Sequence, residues 1–138
     1  MPNNRLIVAT LALAGLLAAC NTTPEAKQRG SCQVLEMPGW VDKNTFKLTV
    51  TGIPAVGAEK KIKRRTQAED AAISCAQAHV LEMFIAGKPK NATDRRKQEK
   101  IKGVVKGGVV EKKYFDANQN CQIVFRIEGS GLKKLAKK

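Results

Sequence analysis

The stretch "TFKLTVTGI" at residues 45–53 decides the fold class of this chain. Its apolar residues Phe46, Leu48 and Val50 alternate with threonine and lysine, and this period of two is typical of a strand with one buried face. A glycine and a proline then end the alternation, since proline cannot donate to a neighbouring strand. The stretch therefore predicts an amphipathic strand that needs a packing partner on its apolar face.

Residues 59–86 supply that partner, because their apolar positions follow a helical period. The capping-box pattern Thr66-x-x-Glu69 predicts that the regular helix begins there. Small side chains on its buried stripe would let the helix lie close to a sheet. The stripe consists of Ala68, Ala72, Cys75, Ala76, His79, Met83 and Ala86, flanked by Ile73 and Val80.

The remaining elements complete a two-layer domain. A strand at 32–37 precedes the first stretch, and a shorter helix is predicted at 93–105 with Asn91 or Thr93 as its cap. A hairpin whose turn lies at 116–120 closes the domain. We expect an α+β fold in which one long helix and a shorter one pack on an antiparallel sheet of three to four strands.

The N-terminal segment has the proportions of a bacterial leader. Arg5 precedes an uncharged, mostly apolar run at 6–19, which is shorter than the roughly 20 residues that span a bilayer. The sequence "LAAC" at 17–20 resembles the lipobox of bacterial lipoproteins. That resemblance implies lipid addition to the Cys20 sulfur, cleavage before Cys20 and acylation of the new amino group. An ordinary leader and a buried N-terminal helix are the competing interpretations.

These segments define the expected organisation of the chain. Residues 1–19 are a lipoprotein signal peptide, 20–31 hold the lipidated cysteine and a polar tether, and 32–138 form one domain with a basic tail. The mature chain would keep 24 basic and 12 acidic residues, a net charge of +12. Such a charge predicts attraction to polyanions rather than any particular fold.

Three further cysteines, Cys32, Cys75 and Cys121, remain once Cys20 is assigned to lipid. Their number is odd, so at most one internal disulfide forms, and Cys75 and Cys121 could equally be reduced and buried. None of the spacings is typical of a zinc site, so we expect no metal. The only cofactor expected is the covalent lipid on Cys20.

Basic residues cluster around the start of the long helix, between the two helices and in the C-terminal tail, and the first two clusters supply the candidates for binding anions. One group precedes the regular part of the long helix, and the other lies in the region between the two helices. The candidates are Lys60, Lys61, Lys63, Arg64, Arg65, Arg95, Arg96 and Lys97.

Taken together, these features resemble the LPP-twenty family of bacterial outer-membrane lipoproteins. The resemblance rests on the lipobox and tether, "PGW" at 38–40, "TVTGIP" at 49–54, the alanine-rich helix and the glycine-marked hairpin. The family is similar to flagellar outer-membrane protein P and to the N-terminal domain of flagellar assembly protein T. The resemblance implies a non-enzymatic surface or periplasmic module and supplies no catalytic residues.

The expected function is binding or assembly by an exported protein that lipid anchors to a bacterial membrane, with the outer membrane favoured. The membrane, and an anionic envelope component or a protein, are the expected partners. Nucleic acid is not an expected partner, and the sequence leaves the oligomeric state open. Envelope or flagellar structures are candidate sites of action.

Two other interpretations compete with this one. The order of strands and helices is also similar to the KH domain, which clamps nucleic acid with a GXXG loop. The matching loop here, Gly87-Lys88-Pro89-Lys90, lacks the second glycine. Alternatively, His79 lies one helical turn from Cys75, a spacing at which a histidine can activate a thiolate. A packing cysteine beside a hydrogen-bonded histidine is the preferred interpretation of that pair.

Overall fold

The computed structural model describes residues 30–36 and 38–136. Within them the chain forms five strands and three helices. In chain order these are β1 (Ser31–Val34), β2 (Gly39–Trp40), β3 (Thr45–Ile53), α1 (Lys61–Phe84), α2 (Ala92–Lys106), β4 (Val109–Phe115), β5 (Cys121–Glu128) and α3 (Leu132–Leu135).

The strands form one antiparallel sheet in the order β1-β3-β5-β4, and β2 pairs with the start of β3. All three helices contribute side chains to a single core, so helices cover one face of the sheet. The α+β class expected from the sequence is confirmed. The additional strand is β2, in which Trp40 pairs with Phe46.

The apolar faces of β3 and β5 form the floor of the core. Phe46, Leu48 and Val50 on β3 are at most 3% exposed, as expected from their alternation. On β5 the core positions are Cys121, Ile123, Phe125 and Ile127. At roughly 25 cal/mol per Å² of buried apolar surface, these two central strands supply much of the hydrophobic stabilisation of the domain.

Helix α1 packs on these strands through every fourth residue, and these residues form one line along the helix. Its buried residues are Ala68, Ala72, Ala76, Val80 and Phe84. Val80 is therefore central to the stripe rather than beside it, and Ala86 lies beyond the end of the helix and is exposed. Trp40 stacks on Phe84 with ring centroids 5.3 Å apart and covers the edge of the core.

The predicted capping box at Thr66 is wrong. Helix α1 begins five residues earlier, at Lys61, and Lys60 caps it without a side-chain hydrogen bond. Thr66 lies inside the helix, where its Oγ1 donates to the Ile62 carbonyl oxygen at 3.1 Å. Glu69 does not bond back to the backbone, because its carboxylate accepts from Lys113 Nζ at 2.9 Å.

The second helix and the hairpin follow the sequence closely. The Asn91 side chain accepts from the Asp94 N–H at 2.8 Å and caps α2, as predicted. In the β4–β5 turn, the Asp116 carboxylate accepts from the N–H groups of Asn118 and Asn120. The basic tail holds one element that the sequence did not predict, helix α3, whose Leu132 is completely buried.

Candidate anion-binding surface

The first group of basic candidates lies around the start of α1. Lys60, Lys61 and Lys63 are all exposed, and none forms an ion pair with a carboxylate of the described residues. Lys113 differs, because its ammonium group forms an ion pair with the Glu69 carboxylate at 2.9 Å; this hydrogen bond raises the pKa of Lys113, and the carboxylate offsets its charge. The three lysines around the helix start therefore form no ion pair within the described part of the chain, and Glu59 is the one acid of the segment that holds them.

Arg64 and Arg65 have partners within the domain. Arg64 Nη2 donates to the Asn118 carbonyl oxygen at 3.0 Å, and Arg65 Nε donates to Gln119 Oε1 at 2.7 Å. The Arg65 guanidinium also lies 4.9 Å from the centroid of the Phe115 ring. These two arginines therefore hold the β4–β5 turn against the start of α1, and their charge remains at that end of the domain.

The second group lies on the first two turns of α2. Arg95 and Arg96 are exposed, whereas Lys97 is partly buried. Helix α1 has 24 residues and so rises about 36 Å between its ends, and the loop leading to α2 follows its far end. The structure therefore does not bring the two groups together, and the eight candidates form two separate basic surfaces.

Two exposed apolar side chains accompany the first group. Val56, in the loop between β3 and α1, is 90% exposed, and Ile62, in the first turn of α1, is 81% exposed. Neither residue was predicted from the sequence as part of a site. The available signal for Ile62 was its position as the one apolar residue inside the basic run "EKKIKRR" at 59–65.

Cys32 on β1 and Cys75 on α1 form a disulfide, with their Cα atoms 6.3 Å apart. The Cys75 sulfur is therefore not available as the thiolate that a Cys75-His79 enzyme would need. Cys121 is a buried free thiol. Burial, with a smaller contribution from the Glu69 carboxylate, raises the pKa of Cys121 to about 11, so this thiol is protonated and poorly reactive near neutral pH.

The loop between α1 and α2 has its polar groups engaged within the domain. The Lys90 N–H donates to Asp94 Oδ2 at 3.2 Å, and the Gly87 carbonyl oxygen accepts from Gln98 Nε2 at 3.1 Å. A GXXG loop of a KH domain instead presents its backbone to phosphate groups. No observation on this loop favours the nucleic-acid interpretation.

Over residues 30–36 and 38–136, no three His, Cys, Asp or Glu side chains are placed to hold a metal ion. In the same part of the chain, no helix has the length and hydropathy needed to cross a bilayer. The lipidation candidate, Cys20, lies outside the described residues.

Comparison with known proteins returns no match, whether to family models, to curated proteins or to solved structures. The LPP-twenty resemblance therefore stays a prediction from the sequence.

Proposed function

We propose that this chain is a lipid-anchored bacterial envelope protein of the LPP-twenty type, which acts without catalysis in binding or assembly at the outer membrane or in the periplasm. The observation that carries the proposal is "LAAC" at 17–20, which follows a short uncharged run and resembles a lipobox. Cleavage before Cys20 would leave its sulfur and its amino group as the sites of acylation. Two or more acyl chains on one residue give durable anchoring, which a single chain does not.

The Cys32–Cys75 disulfide supports export. Disulfides persist in oxidising compartments such as the bacterial periplasm and are rare in the cytosol. The disulfide and the leader are separate features of the chain, and both are consistent with the same compartment.

The surface of the domain supports binding rather than chemistry. Exposed lysines at the start of α1 and arginines on α2 offer charge to an anionic partner, whereas the one free thiol of the described residues is buried and has a raised pKa. The partner is an anionic component of the envelope or an acidic protein. Envelope and flagellar structures are the settings that the family resemblance suggests.

Fatty-acid labelling of living cells tests the anchor. We expect the unchanged protein to incorporate an alkyne fatty acid and Cys20→Ala to incorporate none, because the alanine has no sulfur to accept the lipid. Thr22→Ala, two residues further on, and Cys121→Ala are matched controls that should remain labelled. Labelling of the Cys20→Ala protein, or no labelling of the unchanged protein, would show that Cys20 is not the lipid site.

A further inference from the structure

One end of the domain combines exposed apolar side chains with lysines that form no ion pair among the described residues. We call it the basic end and define it by Val56, Lys60, Lys61, Ile62 and Lys63. Val56 and Ile62 are the most exposed of the large hydrophobic residues in the described part of the chain. The segment "EKKIKRR" at 59–65 contains five basic residues and one acid. Apolar tips surrounded by lysines are typical of surfaces that enter the headgroup region of an anionic bilayer.

The electrostatics of α1 make this end more positive still. The first N–H groups of a helix carry a positive partial charge, which proteins usually offset with an acidic residue in the first turn. Helix α1 has no acidic residue in its first turn and no side-chain cap. The positive end of the helix dipole therefore adds to the charge of the lysines, and Glu59, just before the cap residue, is the one acid of the segment.

The tether reaches the domain at the same end. Ser31 pairs with Ile53, the last residue of β3, and the loop that carries Val56 follows directly. A Cβ atom at Gly30 would lie 3.1 Å from the Ala71 Cβ, so the described chain begins between the end of β3 and α1. Nine residues lie between Cys20 and Gly30, and the ten Cα–Cα steps reach at most about 35 Å when fully extended. A lipid on Cys20 would therefore hold the point where the chain enters the domain within that distance of the bilayer.

From these three observations we propose that the basic end lies on the anionic phospholipid surface, with Val56 and Ile62 in the headgroup region and Lys60, Lys61 and Lys63 among the lipid phosphates. This inference rests on the lipid anchor proposed above. It assigns different roles to the two basic groups. The first faces the membrane, and the second, on α2 beyond the far end of α1, points away from it and is left for a partner.

The test places a reporter at the basic end of the lipidated protein. Val56→Cys is labelled with an environment-sensitive nitrobenzoxadiazole group, and the protein is reconstituted in vesicles of phosphatidylcholine alone or of equal parts phosphatidylcholine and phosphatidylglycerol. The engineered thiol is selective, because Cys32 and Cys75 are bonded and Cys121 is buried. Lys88→Cys, in the loop at the far end of α1, carries the same label as the control.

We expect the label at residue 56 to shift to shorter wavelength and brighten several-fold in the anionic vesicles. The label at residue 88 should keep its emission as in water. Adding Lys60→Gln, Lys61→Gln and Lys63→Gln should abolish the shift. Removing the same number of charges at the other surface, by Lys88→Gln, Lys90→Gln and Arg95→Gln in the Val56→Cys protein, should preserve it.

Flotation of the same samples separates this inference from the anchor. Protein that fails to float with either kind of vesicle lacks the lipid anchor. That result would contradict both the proposed function and this inference. Protein that floats while the label at residue 56 stays water-like in anionic vesicles keeps its anchor and overturns the docking inference alone. A label at residue 56 that is equally shielded in the Cys20→Ala protein, measured in buffer without vesicles or detergent, would assign the basic end to a protein contact, and that also overturns the inference.

Discussion

Replacing Cys32 and Cys75 together by alanine is expected to lower the free energy of unfolding by about 4 kcal/mol. The two cysteines are 43 residues apart, and a bond that closes a loop of that length removes conformational entropy from the unfolded chain. It also joins the four-residue edge strand β1 to α1, so the variant should lose pairing at β1 first. Urea unfolding followed by circular dichroism measures the change.

Reduction provides the matched control for this variant. A reducing agent should bring the unchanged protein to the urea midpoint of the double variant and should leave the double variant itself unmoved. Cys121 is a free thiol in either case, so reduction acts on the Cys32–Cys75 pair alone. If reduction leaves the urea midpoint of the unchanged protein where it was, that result would contradict a disulfide between Cys32 and Cys75.

Gly52→Ala is expected to lower the free energy of unfolding by about 3 kcal/mol, at the upper end of what overpacking costs. A Cβ at this position would lie 2.6 Å from the Ala72 nitrogen and would collide with the Ala68 carbonyl oxygen. Both are backbone atoms of α1, so relief requires the whole helix to move away from the sheet. The alanines on its buried face would then lose their contacts together.

Gly103→Ala on α2 is the control for that substitution. Apart from the nearby backbone of its own helix and its two chain neighbours, no heavy atom lies within 4 Å of a Cβ built at Gly103, and alanine is favoured over glycine inside a helix by about 1 kcal/mol. This variant should therefore be slightly more stable than the unchanged protein. If Gly52→Ala unfolds at the urea concentration of the unchanged protein, α1 does not pack on β3 at the described distance.

The elements that the sequence predicted best are those whose buried residues recur at a regular spacing along the chain. The alternation of Phe46, Leu48 and Val50 has one physical interpretation, and so does the spacing of Ala68 and Ala72 on the helix. The capping box failed because its pattern depends on only two side chains. The contacts of Arg64 and Arg65 with the β4–β5 turn hold the helix start five residues earlier, and such contacts cannot be seen in local sequence.

Elements whose buried residues show no regular spacing along the chain were not predicted from the sequence. Strand β2 has two residues, too few to show alternation, and it forms because Trp40 packs on Phe46 and Phe84. Leu132 and Leu135 are the only two leucines of the basic tail, too few to show a period, and the core of the whole domain accounts for the burial of Leu132.

The sequence predicted which residues belong to the candidate site but not how the fold arranges them in space. The sequence located every basic cluster, yet only the course of α1 shows that the first group lies at one end of the domain and the second at the other. The disulfide pairing was equally hidden. Cys32 and Cys121 flank Gly52 on its two sides in one row of the sheet, so choosing the partner of Cys75 requires knowing where the helix crosses that row.

The intact mass of the protein, purified from membranes of the cell that makes it, tests the central claim most directly. We predict the mass of residues 20–138 plus a diacylglyceryl group and an amide-linked acyl chain on Cys20, less two hydrogens for the disulfide. The mass of the unmodified chain 1–138, or of a chain cut elsewhere without lipid, would contradict the account of this protein as a lipid-anchored envelope component.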